Sequence, residues 1–135
     1  MTSRRGEVWL VDFGEPLGRE QAGRRPALIV SDDDLNDGPS GLVIVVPITS
    51  ARRGLPSHIE IDDAGSGLDA ISYAKCEDVK SVSDRQMISR LGVAPLPAVF
   101  AVERALRFAS AAGALRAQDG ETPRRDAVEA LLAGR

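Results

Sequence analysis

The chain has 135 residues, 43% of them apolar, which suffices for one compact core and hardly for two. A net charge of −3 and a pI near 5.2 exclude a nucleic-acid binder held on by bulk charge, so any such contact must be local. The single cysteine excludes an intramolecular disulfide. The N-terminus MTSRRGEVWLVDF reaches acidic and glycine residues too soon to form a signal-peptide core. No apolar stretch approaches the roughly 20 residues that cross a bilayer, and Leu42 to Ile48 already contains Pro47. A cytoplasmic chain without membrane insertion is the expectation.

Glu7 to Phe13 is rich in β-formers and bracketed by Gly6 and Gly14, which predicts a first strand. A second follows over Ala27 to Val30. Pro26 restricts Arg25 to extended backbone angles and suits the start of that strand. Ser31 to Gly41 (SDDDLNDGPSG) reads as an acidic loop leading into the uninterrupted apolar strand Leu42 to Val46, the expected centre of the core. Ser57 to Ile61 alternates His58 and Glu60 with Ile59 and Ile61, which predicts a strand that points His58 away from the core. A tight loop at Gly65 to Gly67, short strands over Ala70 to Ala74 and Asp78 to Val82, and a helical turn at Ser83 and Asp84 follow.

No crossover-length helix separates these six or so strands, so the sheet should be mainly antiparallel and curled into a small barrel. From Leu96 to Ala112, Val99, Val102, Leu106 and Ala109 recur at helical spacing, with Glu103, Arg104 and Arg107 expected in solvent. The fold class is therefore α+β, mainly β: a barrel domain over 1–115 with a packed C-terminal helix. A tail follows over 116–135, in which Thr122 and Pro123 suit the start of a short extra helix.

Function is best read from GEPLGREQAGRRPALIV, Gly14 to Val30, where a flexible charged loop ends on fixed guanidinium groups. Arg19, Arg24 and Arg25 cluster there. Thr49 and Ser50 end the apolar strand downstream, and Arg52 and Arg53 follow. Guanidinium and hydroxyl donors of this kind suit phosphate chemistry on nucleic acid. On the residues alone, two plainer readings stay open: Arg25 pairs with Asp32 or Asp33, and Thr49 simply ends its strand.

Taken together, RGEVWLVDFG, REQAGRRPALIVS, VVPITS, PSHIEI, SYAKCEDVKSV and the closing helix, from Arg5 to about Ala112, resemble the MazF/PemK family of toxin endoribonucleases from bacterial toxin–antitoxin pairs. The resemblance implies an SH3-like antiparallel barrel with a C-terminal helix (MazF/CcdB-like) and a homodimer. It also implies metal-free cleavage of single-stranded RNA at short sequences, with no cofactor, and inhibition by a cognate antitoxin. The family's catalytic arginine, just before the loop proline, matches Arg25, and its catalytic threonine, after the VPI strand, matches Thr49. Attack of the ribose 2′-OH on its own phosphate would leave a 2′,3′-cyclic phosphate and a 5′-hydroxyl, with both side chains donating to the phosphoryl oxygens. Arg19, Glu20, Arg24, Ser50, Arg52, Arg53 and His58 are the candidate RNA contacts.

His58 lacks the second histidine of a paired acid–base mechanism, and the acidic runs Asp32 to Asp34 and Asp62 to Asp63 read as turns without metal-ligand spacing. Trp9 and Cys76 read as packed residues. Where the family commonly has an arginine and leucine after the helical turn, this chain has Met87 and Ile88, which bears on substrate preference or dimer contacts. Two rival readings from other classes are a CcdB-like gyrase poison and a non-catalytic SH3-like binding module.

Overall fold

Strand formation follows from runs of Val, Ile and aromatic residues punctuated by glycine, and the computed structural model describes residues 3–14, 23–62 and 64–117. The elements are β1 (Glu7–Asp12), β2 (Arg24–Ile29), α1 (Asp33–Asn36), β3 (Leu42–Thr49), β4 (His58–Ile61), β5 (Ser72–Lys75), β6 (Lys80–Ser83), β7 (Met87–Val93) and α2 (Leu96–Ala117). All strand pairs are antiparallel, in the order β4-β5-β3-β2-β1-β7, with β6 also on β3. The mainly β, partly α class follows the expectation, but the ladders form an open sheet rather than a closed barrel. Ser83, Asp84 and Gln86 supply the anticipated turn as a capping box between β6 and β7. The Gln86 side chain then donates to the Asp12 carbonyl at 2.9 Å, tying this turn to β1.

β3 is the hub. It pairs β2 along one stretch, β6 through Leu42 to Val45, and β5 at Ile48 and Thr49. Pro47, which cannot donate to a ladder, falls where the partner changes from β6 to β5. Because side chains alternate, this strand feeds two apolar clusters. Ile44, Val46 and Ile48 join Val8, Leu28 and the α2 residues Val99, Val102 and Leu106. Val43 and Val45 join Trp9, Val11, Ala27, Ile29, Val82 and Met87 on the other face.

Several boundaries differ from the sequence expectation. β2 begins at Arg24 rather than Ala27, because Arg24 and Arg25 continue the β1 ladder opposite Asp12 and Val11. α1 forms inside the acidic loop, where Asp33 accepts from the Arg5 backbone N–H at 2.8 Å and Asp37 accepts from the Arg4 guanidinium at 2.9 Å. β7 was not anticipated. It pairs β1 through two irregularities, and of Met87–Val93 only Met87 is buried, so no alternating pattern marks it. Met87 thereby serves the second cluster. Glu103, expected in solvent, is 13% exposed and ion-paired with Arg5. α2 runs past the anticipated Ala112. The tail from 118 lies outside the described residues.

Candidate functional site

Phe13, Gly14 and Gly23 form a closed neck. The Phe13 backbone N–H donates to the Gly23 carbonyl at 2.9 Å, and the Gly23 N–H donates to the Gly14 carbonyl at 2.8 Å. Gly14 and Gly23 adopt φ of 75° and 70°, a region where a side chain would be strained, so this neck depends on glycine at both positions. Residues 15–22, with the candidates Arg19 and Glu20, lie outside the described residues. Immediately after the neck come Arg24 and Arg25, both exposed, on β2.

The register of the central strands relates Arg25 to Thr49. β2 and β3 pair Ala27 with Pro47, Leu28 with Val46 and Ile29 with Val45. The paired stretch ends there; counted on by two residues on each strand, Arg25 and Thr49 would come opposite one another. Both share the strand parity of Ala27, Ile29, Val43 and Val45, so they extend one face past the end of the second apolar cluster. On the far side Thr49 pairs Tyr73 of β5, a neighbour that no local sequence pattern announces. Thr49 Oγ1 accepts the Ala51 backbone N–H at 3.1 Å. That leaves the hydroxyl proton available for donation elsewhere.

Ser50, Arg52 and Arg53 follow on an exposed segment that turns at Gly54, φ 66°. Arg53 reaches an open concavity of about 540 Å³, lined also by Leu55, His58, Lys75, Glu77 and Asp78. Its two sides are joined by the β4–β5 ladder, in which His58 pairs Lys75. Lys75 and Asp78 form an ion pair at 2.9 Å.

His58 does not point into solvent as the alternation suggested. Its side chain is 2% exposed, because the short 3-10 turn Cys76–Asp78 covers that face of β4, and its Nε2 lies 2.8 Å from Glu77 Oε2. Since a carboxylate only accepts, Nε2 carries the proton. Among the described residues, His58 Nδ1 and Glu77 Oε1 are buried and find no hydrogen-bond partner. Partial desolvation pushes the Glu77 carboxyl up, but hydrogen bonds from His58, its own backbone and Ser57 outweigh that effect and hold it below the ordinary carboxylate range. Arg53 and His58 are thus brought to one concavity, and Arg25 and Thr49 to one sheet face.

Cys76 is fully buried, and burial followed by the neighbouring Glu77 charge pushes its thiol up to about 12. It is a packing residue rather than a nucleophile. Trp9 is 3% exposed, its indole N–H donating to Glu7 at 3.0 Å. Among the described residues no group of three or more His, Cys, Asp or Glu side chains is arranged to hold a metal ion, and no helix is long and apolar enough to cross a membrane.

Residues 4–109 match the family described as the PemK-like, MazF-like toxin of type II toxin–antitoxin systems. The chain belongs to that family. Its relative in Mycobacterium tuberculosis, endoribonuclease MazF9, is 28% identical over 110 residues, covering 78% of this chain and 93% of the relative. Among solved structures, MazF from Deinococcus radiodurans superposes with a TM-score of 0.67 at 26% identity, covering 78% of this chain and 93% of the other. A chain of the MazE–MazF structure from the same organism gives 0.63 at 26% identity, covering 77% of this chain and 91% of the other. The family match takes in the neck, both central strands and the concavity.

Proposed function

We propose that this MazF-family toxin is an endoribonuclease that cuts single-stranded RNA, including mRNA, at short specific sequences, with Arg25 and Thr49 acting at the scissile phosphate. The observation that carries the reading is that Arg25, exposed on β2, and Thr49, whose hydroxyl accepts from Ala51 and can still donate, share one strand parity just past the paired stretch that ends at Ala27 and Pro47. In the reaction the 2′-oxygen forms a bond to phosphorus and the bond from phosphorus to the 5′-oxygen breaks. A proton leaves the 2′-hydroxyl and one is gained by the departing oxygen. The products are a 2′,3′-cyclic phosphate and a 5′-hydroxyl.

Negative charge gathers on the phosphoryl oxygens as this proceeds, where Arg25 donates paired hydrogen bonds and Thr49 a further one. A guanidinium is a donor and not a base, so the role of Arg25 is charge stabilisation. The step draws on no metal or cofactor. Arg24, Ser50, Arg52 and Arg53, with Arg19 and Glu20 of the loop, would track the strand; His58 would act by shaping the concavity rather than by touching RNA, since its side chain is buried.

A cognate antitoxin completes the picture, in keeping with the family's place in toxin–antitoxin pairs, together with a homodimeric, cytoplasmic toxin. The test uses an unstructured RNA and DNA of the same sequence, with EDTA present. Discrete cuts in RNA alone, ending in cyclic phosphate and abolished by one 2′-deoxyribose placed 5′ of the scissile phosphate, are expected. Cleavage of that deoxy-substituted RNA at the same bond would contradict the mechanism. An inert, folded, antitoxin-free protein would favour a non-catalytic binding module.

A further inference from the structure

Building on the proposed RNA cleavage, we propose that Lys80, held over the ring of Phe13, is a positioning residue that binds a backbone phosphate flanking the scissile one. Lys80 opens β6 and pairs Val45, and Val45 pairs Ile29, which places Lys80 on the face that carries the second apolar cluster. Thr49 lies four residues further along β3 on that same face. Phe13 packs against the cluster from the end of β1, two residues beyond Val11, and Val11 pairs Arg25. At strand rise those two residues span about 7 Å. The Lys80 ammonium sits 5.0 Å from the Phe13 ring centroid, so the side chain reaches back along the face toward the row of Arg25 and Thr49.

The company Lys80 keeps is the decisive feature. Its neighbour in sequence spacing, Lys75, is neutralised by Asp78 at 2.9 Å, and Arg4 and Arg90 are neutralised by Asp37 and Glu7. Lys80 has no carboxylate partner among the described residues and rests on an aromatic face instead. A ring quadrupole steadies an ammonium while leaving its charge uncompensated, so it remains attractive to an anion. That face, which also carries Arg25, Thr49, Tyr73 and, opposite Tyr73, Glu60, thus holds a further cation. Lysine acts there as a point charge, fixing the strand's register over Arg25 and Thr49 without reading bases.

The test compares full-length Thr49→Ala protein, expected to cut RNA about 10² to 10³ more slowly than wild type and so to leave it intact over a binding measurement, with the same chain carrying Lys80→Gln or Lys80→Arg. The probe is a labelled single-stranded RNA that spans a bond cut by the wild type. Lys80→Gln should weaken binding several-fold and lower the slope of log affinity against log salt by about 0.7, the value for one phosphate contact on a single strand. Lys80→Arg should restore both. In otherwise wild-type protein, Lys80→Gln should raise KM with kcat nearly unchanged and the thermal midpoint preserved. If the wild type cuts RNA while Lys80→Gln leaves the salt slope unchanged, this inference falls and the nuclease reading stands. If wild type neither binds nor cuts RNA, both fall.

Discussion

Gly67 and Gly54 offer a controlled test of how the β7 edge is sealed, since both have positive φ, 76° and 66°, yet differ in what a methyl group would meet. At Gly54 a Cβ meets nothing within 4 Å. At Gly67 it would sit 2.0 Å from the Leu91 carbonyl oxygen, a backbone atom of β7 that cannot swing away. Alanine at either site incurs the left-handed backbone penalty of roughly 1–2 kcal/mol. Only Gly67→Ala adds the overpacking cost of roughly 1–3 kcal/mol, because the turn at Ala64–Ser66 and β7 must separate. The two variants should therefore lose about 1–2 and about 2–5 kcal/mol, respectively. Urea unfolding followed through Trp9, the chain's single tryptophan, separates the two. Equal losses would refute the close approach of this turn to β7.

Leu106 is fully buried between α2 and the sheet, so Leu106→Ala should cost about 2–5 kcal/mol by the same unfolding assay. Cys76, with its thiol raised to about 12, should ignore a disulfide reagent at neutral pH in the native protein and react fully once unfolded. The Glu77 carboxyl is lowered in the folded state, so its contribution is present above its unfolded value and is lost as pH falls through the lower folded value. Glu77→Gln should accordingly flatten part of the acid limb of stability against pH, and an unchanged limb would show that the His58 contact contributes nothing.

Local pattern carried much of this molecule. Glycine brackets, β-branched runs and the Ser83 to Gln86 turn chemistry each leave a signature within a few residues, and the corresponding elements form close to where they were expected. β7 leaves none, because an irregular edge strand with one buried residue has no period to detect. His58 was misplaced for a related reason. Alternation assumes that one face of β4 is open, whereas the turn at Cys76–Asp78, arriving from eighteen or more residues away, covers it. Arg25 and Thr49 could be named from the motifs around them, but their relation is a matter of strand register. Tyr73 and Lys80 join that face only through pairing with β3, which is non-local and silent in the sequence.

The most direct measurement is the single-turnover cleavage rate of Arg25→Ala and Thr49→Ala beside wild type, on one RNA and with unfolding curves confirming that each variant is folded. If the two side chains stabilise the charge on the scissile phosphate, each substitution should slow the chemical step by about 10² to 10³. A folded variant that cuts at nearly the wild-type rate would remove that residue from the site and contradict the account.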